Sequence, residues 1–248
     1  MKIAVCVSHV PDTAAKIKIG SDGKSIDPTD VTYVLNPYDE FAIEEALKTK
    51  EKLGGEVVVI SLGEESSKES IKKALAMGVD EGVLLKDSGF RDSVSLAKAL
   101  SEEIKAQDAK IVFMGKQAVD YDNSIVGQLT SEFLGYNCVS VVVALNIEGE
   151  KVIAEREIEG GKEVVETSLP VVITAQKGLN EPRYASLKGI MAAKRKTIVE
   201  KDAFAFGNKL EVLSMNKPQG KQAGKIIGSD ASAVPELVRL LKEEAKVI

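Results

Sequence analysis

A chain of 248 residues is long enough to bury a sizeable core, and 44% hydrophobic with 29% charged residues is the composition of an ordinary folded protein. No stretch approaches the ~20 unbroken apolar residues of a membrane span. The formal net charge of −5 argues against a grip on a nucleic-acid backbone, which needs an excess of Lys and Arg on one face. Cys6 and Cys138 each lie in apolar runs and His9 is the single histidine, so neither a disulfide framework, a CxxC motif nor a His-rich metal site is expected. A Ser/His/Asp triad would have to be built around His9, and no partner motif accompanies it. Met1-Lys2 runs straight into Ile3-Ala4-Val5-Cys6-Val7, too short for a signal-peptide core and without a small-residue cleavage site; the expectation is a cytoplasmic protein.

Through the first two thirds, short β-branched apolar runs alternate with helical patterns, the sign of βαβ units around a largely parallel sheet. Strands are predicted at Lys2 to Ser8, Glu56 to Leu62, Glu81 to Leu85 and Lys110 to Met114, each apolar on nearly every residue, as strands covered on both faces should be. In Thr13 to Ile26, Lys16-Ile17-Lys18-Ile19 alternates before Ser21-Asp22-Gly23, a hairpin signal. Asn36-Pro37-Tyr38-Asp39-Glu40 supplies an N-cap, a proline at the first helical position and two acids in the first turn. Ala42, Ile43, Ala46 and Leu47 give one apolar face and Leu53-Gly54-Gly55 the stop, which predicts a helix over Pro37 to Leu53. Further helices are predicted near Ser66 to Met77, Ser93 to Ala106 and Asn123 to Leu134, the last ending at Gly135. Beyond it, extended runs at Val139 to Ile147, Lys151 to Ile158, Val164 to Ser168 and Val171 to Ala175 read as an antiparallel addition. From Lys201 to Lys225 Gly, Pro, Lys and Gln interrupt the pattern, before a last helix over Ala233 to Glu244. The fold class is therefore α/β: a largely parallel, Rossmann-like sheet with helices on both faces, an antiparallel addition and an extended C-terminal arm. Residues 1–200 form the domain and residues 201–248 the arm, which buries little alone and lies on its own core or on another subunit.

Three stretches carry candidate chemistry. Gly115-Lys116-Gln117-Ala118-Val119-Asp120-Tyr121-Asp122-Asn123-Ser124-Ile125-Val126 follows an apolar strand and runs into a helix, where α/β sheets bind ligands. Unpaired N–H groups and the positive end of the helix dipole hold phosphate there, while Gly115 permits close approach. Asp120, Asp122, Asn123 and Ser124 offer oxygens for a ribose. The plainer reading is that Asp122 or Asn123 only caps the helix; neither a Walker motif nor GxGxxG is present. Asn36-Pro37-Tyr38-Asp39 also opens a helix and its backbone could lie against an adenine ring, although capping alone explains these residue types. In Asn180-Glu181-Pro182-Arg183-Tyr184-Ala185-Ser186-Leu187-Lys188-Gly189-Ile190-Met191, the residues Leu187, Ile190 and Met191 fall at i, i+3 and i+4, ahead of Lys194-Arg195-Lys196. They form either an apolar docking knob flanked by positive charge or a helix face packed on its own core.

Asn36-Pro37 at a helix start, Ala74-Leu75-Ala76-Met77-Gly78-Val79-Asp80, the loop Gly115 to Asp120, Glu155-Arg156-Glu157-Ile158-Glu159-Gly160-Gly161 and Asn180 to Leu187 follow one another over essentially the whole chain. In these motifs and their order the sequence resembles electron-transfer flavoprotein beta subunits. The resemblance implies an electron-carrier subunit without catalytic residues of its own, paired with an alpha subunit that holds the redox-active FAD. It implies AMP held in this chain by Cys6, Asn36, Pro37, Tyr38, Asp39, Leu62 and the loop Gly115 to Val126, which makes residues 1–200 a nucleotide-binding domain. Leu187, with Tyr184, Ile190 and Met191, becomes the anchor for flavin-containing dehydrogenases, Glu157 a surface acid toward the partner's flavin domain, and the arm a wrap on the alpha subunit. Family members that bifurcate electrons hold a second FAD instead of AMP, typically with Asp-Gly-Asp-Thr in the loop and Gly-Pro after it. Here Tyr121 stands for that glycine, Asn123-Ser124 for the threonine region and Gly127-Gln128 for Gly-Pro, which favours AMP, whereas Val10-Pro11-Asp12-Thr13 resembles the bifurcating branch. A free-standing adenine-nucleotide-binding stress protein would need a Gly-x-x-Gly loop, which Gly115-Lys116-Gln117-Ala118 lacks. An ATP pyrophosphatase would need Ser-Gly-Gly where this chain has Ser8-His9-Val10-Pro11.

Overall fold

Strands that are apolar on consecutive residues need cover on both faces, and the helices supply it. The computed structural model describes residues 1–220 and 224–248. The chain runs β1 (Lys2–Cys6), β2 (His9–Pro11), β3 (Tyr33–Leu35), α1 (Pro37–Leu53), β4 (Glu56–Gly63), α2 (Lys68–Met77), β5 (Glu81–Lys86), α3 (Ser93–Ala106), β6 (Ile111–Gly115) and α4 (Val126–Leu134). It continues through β7 (Asn137–Glu148), β8 (Lys151–Ile158), β9 (Gly161–Ser168), β10 (Val171–Ala175), α5 (Leu187–Ala193), β11 (Ile198–Asp202) and α6 (Val234–Glu243). Among the described residues nine strands form one sheet, in the order β11-β5-β4-β1-β6-β10-β7-β8-β9, and β2 pairs with β3 apart from it. Ile3 and Val5, Val57 and Val59, Ile111 and Phe113 pack on one side with α1 and α2. Their neighbours Ala4 and Cys6, Val58 and Ile60, Val112 and Met114 pack on the other with Leu100 and Ile104 of α3. The period-2 direction of side chains along each strand thus feeds two cores from one run.

The antiparallel addition is the meander β7-β8-β9. Val171–Ala175, grouped with it on sequence, instead returns into the sheet as β10, parallel to both β6 and β7 and buried on every residue. The hairpin expected in Thr13 to Ile26 is reduced to a single bridge between Ile19 and Ile26, closed by Gly20 N–H to Ser25 O at 2.8 Å. Three strands lie outside the predicted elements: the β2–β3 ladder and β11, which pairs parallel with β5 at the sheet edge. Among the described residues, 203–230 hold no helix or strand, and no helix is long and apolar enough to cross a membrane. The arm predicted from Lys201 to Lys225 includes positions 221–223, which lie outside the described residues. At the C-terminus α6 buries none of its residues and leaves Val234, Leu237 and Val238 half exposed.

Candidate functional site

From β1 the chain builds the sheet outward through β4 and β5, then crosses over to lay β6 on the other flank of β1. Where the two directions of winding part, the loops beyond the strand ends diverge and leave a crevice. A cleft of about 480 Å³ opens there, inside the ~300–1,000 Å³ usual for small-molecule sites. Cys6, Leu62, Leu96, Leu100 and Met114 give it an apolar floor. Its rim comes from the loop after β5 (Asp87 to Ser93), the loop after β6 (Gly115 to Gly127) and Leu210 to Val212.

The start of α1 holds the loops in place. Asn36 occupies the N-cap position, yet its side chain does not cap the helix. It reaches across to the β6 loop, where Nδ2 donates to Gln117 O at 2.9 Å and Oδ1 accepts from Val119 N–H at 3.3 Å. Asp39, only 3% exposed, accepts Ser8 N–H at 2.7 Å and Gly115 N–H at 3.0 Å, tying the loops after β1 and β6 to one carboxylate. Gly115 is needed for this, because a Cβ there would overlap Asp39 Oδ1 and the Tyr38 backbone. Burial pushes the Asp39 carboxyl up to about 7, outweighing the two N–H donors.

The helix expected from Asn123 begins instead at Val126. Asp122 and Ser124 take left-handed backbone, with φ of 51° and 52°, a conformation that does not propagate a right-handed helix. Neither Asp122 nor Asn123 caps α4: Ile125 is the N-cap and no side chain bonds the first N–H groups. Those side chains brace the loop instead. Gln117 Nε2 donates to Asp122 Oδ1 at 2.5 Å, Ser124 Oγ lies 2.9 Å from Gln117 Oε1, and Asn123 Nδ2 donates to Ser93 Oγ at 3.1 Å. An open helix N-terminus, with Ile125, Val126 and Gly127 on the cleft, is an arrangement that binds anions. Acids outnumber bases around it: Asp39, Asp87, Asp92, Asp120 and Glu211 against Arg91 and Lys116. Arg91 is committed to Asp87 at 2.5 Å, and Lys116 Nζ sits 5.1 Å from the centre of the Tyr38 ring. Burial, and then Asp122, raise the Asp120 carboxyl.

A second feature lies on the other face of α1. Asn180 Nδ2 donates to Phe41 O at 3.0 Å and to Glu45 at 2.9 Å, while Arg183 grips Glu44 through Nε and Nη2 (2.8 and 2.9 Å) and Glu51 through Nη1 (2.6 Å). Ser186 then caps α5, its Oγ accepting Gly189 N–H at 3.0 Å. The mount leaves Tyr184 96% and Leu187 84% exposed, with Ile190 and Met191 half exposed beside them. Glu157 stands exposed near the end of β8, where its Oε2 accepts Gln176 Nε2 at 2.8 Å.

Residues 25–205 match the family model of the electron transfer flavoprotein domain. The chain is 38% identical over 255 residues to an electron transfer flavoprotein subunit beta of Bradyrhizobium diazoefficiens, covering all of both chains. It is 39% identical over 249 residues to that of Syntrophomonas wolfei, covering 100% of this chain and 98% of the relative, and 35% identical over 256 residues to that of Bos taurus, covering 100% and 99%. The chain belongs to the electron-transfer flavoprotein beta-subunit family.

Of the residues that resemblance to this flavoprotein family pointed to, Cys6, Asp39, Leu62, Gly115 to Ala118, Asp120, Tyr121 and Asn123 to Val126 meet on the cleft. Asn36, Pro37, Tyr38, Val119 and Asp122 do not line it; Asn36 and Asp122 brace the β6 loop from behind. Sequence reasoning missed the loop after β5 and residues 210–212. The first had a readable sign: Asp87-Ser88-Gly89 follows an apolar strand and leads to Asp92, whose side chain accepts Ser95 N–H as the cap of α3. That is the same strand-loop-helix setting as the β6 loop. Among the described residues no group of three or more His, Cys, Asp or Glu side chains is placed to hold a metal ion. Burial pushes the Cys6 thiol up and so keeps it in the unreactive protonated form. Cys6 is expected to resist alkylation at pH 8 in the native chain and to react on denaturation, as mass spectrometry of the labelled peptides would register.

Proposed function

We propose that this electron-transfer flavoprotein beta subunit holds AMP in its cleft, pairs with an alpha subunit carrying FAD, and offers Leu187 and its neighbours to flavin-containing dehydrogenases. The observation that carries the reading is the cleft at the switch point, entered by the uncapped N-terminus of α4. The residues fit such a nucleotide. Cys6, Leu62, Leu100 and Met114 offer an apolar bed for adenine, Asp120, Asn123 and Ser124 offer polar atoms for ribose, and the first N–H groups of α4 offer donors for phosphate. Tyr121 favours AMP over a longer dinucleotide, because it packs edge to face against Phe90 at 6.1 Å on the cleft rim, where a glycine would leave room. The FAD of the alpha subunit supplies the redox chemistry. In this reading His9 has no chemical role: its ring stacks on Tyr33 at 5.4 Å, its Nδ1 lies 2.9 Å from Ser70 Oγ, and burial lowers its pKa. Glu157 and, from the arm of residues 201–248, the exposed apolar side of α6 are assigned to the alpha subunit.

The test is to denature the purified chain, alone and co-expressed with its alpha subunit, and to identify the released molecules by chromatography and absorbance. One AMP and one FAD per heterodimer, with AMP also released from the beta chain alone, is the expected result. Two FAD and no AMP would make it a bifurcating carrier. A chain that retains no nucleotide and binds no alpha subunit would overturn the proposal.

A further inference from the structure

The arm does not leave the domain after β11. Phe206 meets Phe133 of α4 edge on, 6.2 Å between ring centres, and further along Met215 N–H donates to Gly23 O at 2.7 Å, with Lys24 Nζ 3.0 Å from Glu211 beside it. Between these two fixings the chain passes along the cleft, and Leu210, Glu211 and Val212 line it.

Asn208 and Asp92 hold the crossing down. Asn208 Oδ1 accepts Ser95 Oγ–H at 2.6 Å and Asp92 N–H at 3.1 Å, while its Nδ2 donates to Phe90 O at 2.8 Å. Asp92 is 3% exposed and caps α3 with Oδ1, which accepts Ser95 N–H at 2.8 Å. Capping needs only one acceptor oxygen. The other, Oδ2, takes the N–H groups of both Lys209 and Leu210, the latter at 2.9 Å. Satisfied from both sides, this buried carboxylate belongs to the crossing as much as to the helix.

We propose that residues 208–212 are a strap forming the fourth wall of the nucleotide site, and that Asn208 and Asp92 latch it, so that a bound mononucleotide leaves only when the strap lifts. The inference rests on the reading of the cleft as an AMP site. Phe90, which bonds Asn208 through its carbonyl, also carries the ring that meets Tyr121, so the latch positions one side of the mouth as well. Asn208 itself is exposed and contributes nothing to either core, which makes it the residue through which the latch can be opened without unfolding the chain.

The full-length chain, loaded with radiolabelled AMP and chased with excess unlabelled AMP, gives the release rate directly. Asn208→Ala removes three hydrogen bonds and is expected to release AMP at least about tenfold faster. Its binding rate should rise as well, because entry passes the same strap, and the AMP-free chain should melt only slightly lower, the lost bonds being those of one exposed side chain. Asn216→Ala, whose side chain among the described residues hydrogen-bonds only to Ser214 Oγ at 3.4 Å, is expected to release at the wild-type rate. Hydrogen exchange at the amides of Lys209 and Leu210 should quicken in Asn208→Ala alone. Equal release from wild type and Asn208→Ala overturns the latch and leaves the AMP site standing, whereas a wild-type chain that binds no AMP removes both.

Discussion

At pH 4, where the folded carboxyl is protonated, Asp39→Ala is expected to lower stability by about 3 kcal/mol and to abolish AMP retention, because it strands two half-buried backbone donors at ~1–3 kcal/mol each. Ser8 and Gly115 N–H both donate to this carboxylate, and they stand where the chain leaves β1 and β6 at the cleft. Urea denaturation followed by circular dichroism measures the first effect and equilibrium dialysis the second. The same carboxyl sets a pH dependence whose sign can be worked out. Burial raises it from 3.8 to about 7 in the folded chain. Between those values the folded state holds a proton that the unfolded state has lost, so the contribution of Asp39 to stability falls as pH rises from about 4 to about 7. It is level on either side of that window, and the fall is on the order of 4 kcal/mol. Other carboxylates titrate across the same range, so the informative quantity is the difference in unfolding free energy between wild type and the non-titrating Asp39→Asn. The wild-type value minus that of the variant should fall steadily across the window and turn negative, and a difference constant from pH 4 to 8 would contradict a carboxyl raised by burial.

Asp39 also shows how much of the site could be read from the sequence. Its place in the first turn of a helix was legible, since Asn-Pro-Tyr-Asp-Glu is a strong start signal. What the side chain does there was not, because its acceptor oxygens serve backbone 31 positions before it and 76 after. Asn36 has the residue type of a cap and acts as a tie to Gln117 and Val119, 81 and 83 positions away. Local pattern identifies residue type and element, and partners at such separations are set only by strand order. The same limit explains β10: Val171 to Ala175 was visible as an extended apolar run, but its insertion between β6 and β7 depends on a return across the meander that no local pattern records. The start of α4 fails for another reason. Ser124 adopts positive φ inside what reads as a helical pattern from Asn123, and Asp122 does so just ahead of it, a conformation that no neighbouring residue type announces. The strap had no signal at all, since its hydrogen bonds to Phe90, Asp92 and Ser95 span 113 to 118 positions.

Leu187→Ala is expected to raise the KM of a client dehydrogenase for the heterodimer by about 10- to 100-fold, the equivalent of the ~1.5–3 kcal/mol gained by burying a leucine side chain. Stability and kcat should not change, because Leu187 stands clear of both cores and of the cleft. Arg183→Ala separates the knob from its mount. Glu44 is buried and would be left without its guanidinium partner; breaking a fully buried pair costs ~3–5 kcal/mol, and here, with Arg183 35% exposed, about 2 kcal/mol is expected. The knob would remain but be held less rigidly, so KM should rise less than in Leu187→Ala while stability falls. Arg183→Lys keeps the charge and loses the fork that reaches Glu44 and Glu51 together, and should lie between wild type and Arg183→Ala on both measures. Steady-state reduction of the reconstituted heterodimer by a flavin dehydrogenase, beside thermal melts of each variant, resolves the three cases. A Leu187→Ala protein with wild-type KM would move the docking surface elsewhere. If Arg183→Ala instead lost stability with KM unchanged, the clamp on α1 would serve the fold alone, and the knob would dock without being held.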